Sequence, residues 1–416
     1  MQRMMKIGKT LRNNWKKSTV GFIALCYGGW TVIERHQIDL LMQAACKEAA
    51  QYGDVTISMD RNPTVVTVIL NPVANKRNSK KDYEKYCEPL LHLAGLQVEV
   101  VQTTAEGSAK EIVESLHGTE AIIVAGGDGT LSETVTGLLR RTDDANKFPV
   151  GVLPLGRTNY FGNIIFPQNG TNKEKVKQLI NASMAVIKWN TEWKDAMKIE
   201  PITDDELARP IYALSSIEWG AFRDTEAKQD KYWFVGSLRN YATYIFNGYK
   251  NSLTWNCSGT IKYTPPCPGC SNCVKKRPEI KRAWSFFTSP NTQKEEVYEN
   301  PKCLATEELC FKTCDFKINT PNVMNKESIP SLSLVLGKNK YSYTEFVAEG
   351  WSRLKQKSEA KDQNVITART IELLPREPNS EKEVIEIDKE EFEVKPVRIT
   401  LLPKTVRLFC TPQLNY

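Results

Sequence analysis

The chain has 416 residues, 41% of them apolar and 25% charged, which is enough apolar material for a full core and excludes a chain too polar to fold. Its length points to two or three domains. A net charge of +7 is too modest to name a partner, but it is unevenly placed: the first 33 residues hold six basic residues (Arg3, Lys6, Lys9, Arg12, Lys16, Lys17) and no acidic one.

Behind that basic start, residues 19–33 read TVGFIALCYGGWTVI. A helix crossing ~30 Å of hydrocarbon needs ~20 apolar residues, so this run is short, and Gly21, Gly28 and Gly29 weaken it. A cleaved secretory signal would end in small residues, whereas this run ends in Trp30, Val32 and Ile33 before ERHQ. The acid-free start is like a mitochondrial presequence. The expectation is a retained targeting and membrane-anchor helix over residues 1–35, with a cleaved presequence as the alternative. No other segment approaches spanning length, so a soluble body attached to a membrane face is expected.

A helix is predicted over about 36–53, within an N-terminal helical segment 36–60. TVVTVILNP is β-branched and apolar, a buried strand ending at Asn71-Pro72. The charged loop VANKRNSKK, the amphipathic DYEKYCEPLLHLAG and the strand-like LQVEVVQTT follow. GSAKEIVESLHG is helix-like, EAIIVAGG a strand, TLSETVTGLLRR a helix and FPVGVLPLG a strand. This alternation predicts a parallel sheet with helices on both faces. Ligands of such sheets sit beyond the carboxyl ends of the strands, where NPVANKR, GGDGT and PLGRTN all fall. From about Lys188 the pattern changes. PIYALSSIEWGAF, TWNCSGTIKYTP, SLSLVLG, VITARTIELLP, EVIEIDKEEFEV and PVRITLLPKTVRLFC predict an antiparallel β domain, with an irregular Pro- and Cys-rich insertion at about 257–315.

In GGDGT, Gly126, Gly127 and Gly129 are expected to take positive φ angles and approach a ligand closely. Thr130 opens a helix whose first amides form an anion site suited to a phosphate chain. Asp128 would repel phosphate alone, so it is expected to work through Mg²⁺, a hydroxyl proton, or both. The bland alternative is a tight strand-to-helix turn with Asp128 as its cap. The loop is not a Walker A motif, and the protein-kinase and dinucleotide fingerprints are absent.

GGDGT-x-x-E after a strand, followed by PLGRTN, EWGAFRD, DKYWFVGSL and PVRITLLPKTVRLFC, resembles the diacylglycerol/sphingosine lipid kinase family from about Thr64 to Cys410. GGDGT alone is shared with NAD kinases and phosphofructokinases; the ordered set is specific. The resemblance implies an α/β nucleotide-binding catalytic domain over 61–188 and an antiparallel β-sandwich lipid domain over 189–416. It implies an ATP- and Mg²⁺-dependent kinase that phosphorylates monoacylglycerol and diacylglycerol to lysophosphatidic and phosphatidic acid, at the mitochondrial inner membrane facing the intermembrane space. Sphingosine or ceramide is the alternative substrate. A non-catalytic role as a subunit of the inner-membrane carrier translocase is the alternative function. The partners implied are an acylglycerol lipid and the membrane, not nucleic acid.

By the same resemblance, Gly126, Gly127, Gly129, Thr130 and Glu133 match the nucleotide loop, and Asn71 and Pro72 the first phosphate loop. That loop carries no glycine here, so basic side chains or Ser79 are expected to serve instead. Gly156, Thr158 and Asn159 match the P-x-G-[ST]-x-N loop, with Arg157 in place of a small residue. Asp388 and Glu390 match a Asp-Gly-Glu element facing ATP and metal, with Lys389 in place of glycine. Asp128 and Asp388 are thus the expected catalytic and Mg²⁺-linked carboxylates. Asp224, Trp219, Phe222, Tyr232 and Trp233 are the expected lipid-binding residues, the aromatics having ordinary core as their alternative.

In the insertion, Cys267, Cys270 and Cys273 form C-x₂-C-x₂-C, with Cys257 before them and Cys303, Cys310 and Cys314 after. The spacing suits a structural zinc, suits disulfides, and is compatible with thiols. Three histidines at unrelated spacings predict no His-metal site.

Overall fold

The computed structural model describes residues 14–54, 63–143, 148–168, 170–203, 208–250, 257–267, 270, 300, 303, 305–323, 329–354, 364–376 and 383–411. Helix α1 (Trp15–Gly53) runs unbroken for 39 residues, about 58 Å at 1.5 Å per residue. The expected break between an anchor and a second helix does not occur, because Glu34, Arg35 and His36 continue the helix and no proline intervenes. Its second half is seated: Ile38, Ala45 and Ala49 bury against Leu90, Val176, Ile180 and Met184. Its first half is not, and Leu25 is 77% exposed, with Phe22, Ile23, Trp30 and Val32 also exposed. Among the described residues no helix is long and apolar enough to cross a membrane. The expected N-terminal anchor segment is thus helical where it is described, with no spanning stretch in it, and residues 1–13 lie outside the described residues.

The next segment alternates strands and helices: β1 (Val65–Leu70), α2 (Ser79–Asp82), α3 (Glu88–Leu93), β2 (Gln97–Gln102), α4 (Ser108–Glu114), β3 (Ala121–Gly126), α5 (Asp128–Arg140), β4 (Val150–Pro154), α6 (Tyr160–Ile165) and α7 (Asn172–Ile187). The four strands are parallel, in the order β2-β1-β3-β4. All six positions of β3 are buried. Ile122 and Val124 pack with Leu131, Val135 and Leu138 of α5, while Ile123 and Ala125 pack with Leu91, Leu179 and Ala182 on the other face. A strand covered on both faces has no polar side, hence the unbroken run AIIVA. Parallel strands also end at one edge, which sets the loops after β1, β3 and β4 side by side.

The remainder is β5 (Thr191–Pro201), β6 (Ile211–Ala213), β7 (Ser216–Gly220), α8 (Ala221–Glu226), a 3₁₀ stretch Gln229–Leu238, α9 (Arg239–Lys250), β8 (Cys257–Thr264), β9 (Glu307–Thr313), β10 (Asp315–Asn319), β11 (Leu332–Leu336), α10 (Tyr343–Leu354), β12 (Asn364–Ala368), β13 (Thr370–Pro375), β14 (Val384–Ile387), β15 (Glu390–Glu393) and β16 (Val397–Phe409). Six of these form an antiparallel sheet, β12-β11-β10-β7-β14-β15. It packs on β5, β8, β13 and β16 through a core that includes Trp219, Phe316, Ile318 and Leu334 on one side and Met197, Ile261, Ile371 and Ile399 on the other. The expected sandwich is present, but it is not a separate module. Its second leaf is the far half of the first sheet, which runs β2-β1-β3-β4-β16-β13-β8-β9 without a break.

Strand β16 makes that join. It pairs with β5 along its length, with β13, and in parallel with β4 at Leu408↔Val150. An irregularity between Leu402 and Val406, around Pro403, lets one strand serve both halves. The second sheet in turn carries the β14–β15 hairpin, with its Asp388-Lys389 turn, to the edge where β1, β3 and β4 end.

Candidate functional site

Residues from five loops line one cleft of about 340 Å³: Asn71, Val73 and Ala74 after β1, Thr103 to Glu106 after β2, Gly127 to Thr130 and Glu133 after β3, Gly156 and Thr158 after β4, and Glu390 from the hairpin. The first turn of α5 opens into it, and a helix N-terminus carries outward amides and partial positive charge. Asn71 ties two loops together: its Nδ2 donates to Thr130 Oγ1 (3.1 Å) and its Oδ1 accepts from the Val73 amide (3.2 Å). Pro72 turns the chain next to it and is not part of the lining.

The glycines are required here for contact, not for unusual torsions, which corrects the sequence reading. Gly126, Gly127, Gly129 and Gly156 do not have positive φ. A Cβ on Gly156 would lie 2.2 Å from Gly127 Cα and one on Gly127 2.9 Å from Thr158 O, both backbone atoms, whereas one on Gly129 would meet only the flexible Glu390 side chain. Positive φ occurs in the first loop instead, where Asn75, Lys76 and Arg77 are left-handed at 50°, 55° and 68°. Non-glycine residues pay for that conformation, and such strain gathers at functional loops. Ser79 is corrected as well: its hydroxyl donates to the Asn71 carbonyl (2.6 Å), which leaves basic side chains, the exposed Lys76 and Arg77 among them, as the loop's expected alternative.

Asp128 is 5% exposed and is the first residue of α5, with Gly127 as the cap. Its carboxylate accepts the amides of Tyr160 (2.8 Å) and Phe161 (3.1 Å), so it caps α6 rather than its own helix. Burial pushes its proton affinity up, against those two amides, and Asp388 adds to the rise. Glu133 accepts the amides of Gly107 and Ala109 (2.8 and 3.1 Å) and so fixes the loop after β2. Glu390 is pushed up to about 8, first by burial and then by Glu133, Glu106, Asp388 and Asp128. Crowded oxygen donors beside an anion-binding helix end fit a hard divalent cation such as Mg²⁺. Glu106 was not singled out in the sequence. The available signal was the sheet itself, since every loop after a parallel strand lies at the same edge.

Asp388 is placed differently from expectation. It is buried, and its carboxylate accepts the amides of Leu214 (2.6 Å), Ser215 (2.8 Å) and Ser216 (3.1 Å) as well as the Ser215 hydroxyl. It anchors the hairpin to the β6–β7 connection and is not among the cleft-lining residues. Both turn residues are left-handed, Asp388 at 47° and Lys389 at 69°. That is the two-residue hairpin geometry in which glycine usually takes the second place. Lys389 holds it by pairing with Glu386 (2.8 Å), Glu218 (3.0 Å) and Glu226 (3.7 Å).

Of the remaining expected residues, Asn159 closes its own loop, with Oδ1 accepting the Gly156 amide and Nδ2 donating to its carbonyl, both at 2.9 Å. Arg157 forms an ion pair with Asp230. Trp219 and Phe222 are buried: Trp219 packs edge-on to Phe311 and Phe316, and Phe222 stacks on Phe346 under the Arg353 guanidinium. Asp224 pairs with Arg223 (3.0 Å). Tyr232 and Trp233 belong to a surface group, in which Trp233 is 75% exposed beside exposed Phe234, Leu238 and Phe246, and Tyr232 stacks on Phe246. Of the cysteines, Cys267 and Cys270 come together with Cys303. Cys257 does not join them, being in the sandwich core, and Cys273 lies outside the described residues.

Residues 65–189 match the diacylglycerol kinase catalytic domain and residues 214–415 the acylglycerol kinase C-terminal region. The chain is 34% identical to "Acylglycerol kinase, mitochondrial" from Mus musculus and from Homo sapiens, with 97% of this chain and 96% of each relative covered. It is 28% identical to "Sphingosine kinase 1" of Arabidopsis thaliana over 44% of this chain and 36% of that one. Among solved structures, a putative diacylglycerol kinase from Bacillus anthracis str. Sterne shares the fold, with a TM-score of 0.53, 15% identity, and 84% of this chain and 97% of that chain covered.

Proposed function

We propose a reaction for this cleft from one premise: the chain belongs to the acylglycerol kinase family and is a lipid kinase. The reaction is transfer of the γ-phosphoryl group of ATP to the free hydroxyl of monoacylglycerol and diacylglycerol, giving lysophosphatidic and phosphatidic acid. The observation that carries it is the union, in one cleft, of glycine backbone, a helix N-terminus and the carboxylates Asp128 and Glu390. The α5 amides and the exposed Lys76 and Arg77 hold the phosphate chain. Glu390, with Glu106 and Asp128 nearby, would hold a Mg²⁺ ion, which would neutralise phosphate charge when bound. Asp128, fixed by the Tyr160 and Phe161 amides, keeps further lone pairs with which to orient the lipid hydroxyl and take its proton late in the transfer. Asp388 supports this from behind by fixing the hairpin that presents Glu390.

The lipid is proposed to arrive by the surface formed by Trp233, Phe234, Leu238 and Phe246, flanked by Lys231 and Arg239. A bilayer fits it, since exposed aromatics seat at the interface and cations meet anionic headgroups. The Arg157–Asp230 pair ties that surface to the cleft. The proposed division is a nucleotide domain 61–188 and a lipid domain 189–416 sharing β16. The proposed location is the mitochondrial inner membrane on its intermembrane-space face, supported by the basic start and by the names of the relatives. A translocase-subunit role beside catalysis has the exposed half of α1 in its favour, and carrier import by Asp128→Asn chains separates the two. Sphingosine remains the competing acceptor through Asp224.

The deciding experiment is ATP-dependent phosphorylation of a panel of monoacylglycerol, diacylglycerol, sphingosine and ceramide. Parent chain should label the acylglycerols, while folded Asp128→Asn and Glu390→Gln lose at least about a hundredfold in kcat. Turnover by Asp128→Asn equal to the parent's would refute the assignment.

A further inference from the structure

The insertion between β8 and β9 brings three sulfur atoms together at its base. Cys267 and Cys270 follow β8, Cys303 precedes β9, and their three Sγ atoms lie within 4.8 Å of one another. Cys270 and Cys303 are buried, at 2% and 1% exposure. Ligands at about 2.3 Å from a tetrahedral zinc sit roughly 3.8 Å apart, so only a small contraction separates the trio from coordination geometry. We propose that Cys267, Cys270 and Cys303 are ligands of a structural zinc ion that clamps the two ends of the insertion together.

The surroundings are those of a thiolate site. Asn300 Nδ2 donates to Cys267 Sγ at 3.4 Å, and Arg369 Nη1 to Cys303 Sγ at 3.9 Å. N–H donors outside a metal's ligands orient them and spread their charge. Three thiolates on Zn²⁺ leave net negative charge, which the Arg369 guanidinium offsets. Arg369 is held by the sheet: its amide donates to Thr264 O (2.8 Å) and its carbonyl accepts from Leu401 N (3.0 Å). Each thiol gives up its proton as its sulfur–zinc bond forms. No electrons move, so the clamp needs no oxidant. Soft sulfur also selects zinc over the hard cation suited to the acidic cleft, which makes this site independent of the kinase reading. The fourth coordination position belongs to a donor outside the trio. Cys314 is not that donor, because its Sγ donates to Asn339 O (2.9 Å) in the sandwich.

The test is elemental analysis of the full chain purified with reductant and without chelator. About one zinc per chain is expected. It should be lost in Cys270→Ser and Cys303→Ser and retained in Cys310→Ser, which alters an exposed cysteine of β9. Should the serine variants fail to fold, cobalt exchanged into the unaltered chain reads the same site through thiolate-to-cobalt absorption in the near ultraviolet. A folded chain that carries no zinc and gives no such absorption after metal addition overturns the proposal. So does a zinc content unchanged by both substitutions.

Discussion

Gly156 and Gly127 meet backbone against backbone, so neither can accept a side chain. In Gly156→Ala the new carbon would sit 2.2 Å from Gly127 Cα and 2.7 Å from its nitrogen, atoms that cannot swing aside. Overpacking of this kind costs about 1–3 kcal/mol, and relief must come from parting the two loops. The expected outcome is a lower unfolding temperature together with weaker ATP binding, read by calorimetry; parent-like values in both would count against the contact. Glu390 gives a second residue-level prediction. In magnesium-free buffer its carboxyl keeps its proton up to about pH 8 when folded, but loses it near 4.5 when unfolded. The folded chain thus holds more protons between those values, and stability should fall as pH rises through that window. Glu390→Gln should flatten that dependence in urea titrations; an equally steep profile would remove Glu390 as its source.

At the scale of elements, the first half of α1 and the 229–246 surface each group several outward-facing apolar side chains. Removing residues 1–35 leaves the seated half of α1, with Ala45 and Ala49 buried and Ile38 kept. The shortened chain should phosphorylate detergent-dispersed lipid as the parent does, yet float less with anionic vesicles. Adding Trp233→Ala and Phe234→Ala should weaken flotation further and raise KM on vesicles without changing kcat in detergent. Vesicle binding indifferent to all three changes would leave these surfaces without a lipid role. The elements differed in how plainly they could be read beforehand. AIIVAGG could be read because burial on both faces demands a uniform strand and close contact demands bare backbone. The length of α1 could not, since glycines and a change from apolar to charged residues look like an end when no breaker follows. Asp388 misled for a related reason: an acidic residue in a charged hairpin has the same letters whether it faces a metal or caps three amides.

For the whole molecule, the join through β16 matters most. Alternation along PVRITLLPKTVRLFC announces a strand but not its neighbours, and β16 chose β4 from the parallel half as well as β5 and β13. A sheet continuous from β2 to β9 cannot lose one half without stripping hydrogen bonds from the other. Unfolding in urea should therefore be a single transition, with fluorescence and circular dichroism coinciding. Two separated transitions would mean that the halves stand alone. The same join has a bearing on when the enzyme becomes active. The phosphate loops emerge early during synthesis or import, but the strand that braces them and the carboxylate that completes their cleft are threaded near the finish. A chain halted midway lacks both, so no working catalyst exists in it and phosphorylation begins only once the last strand is in place.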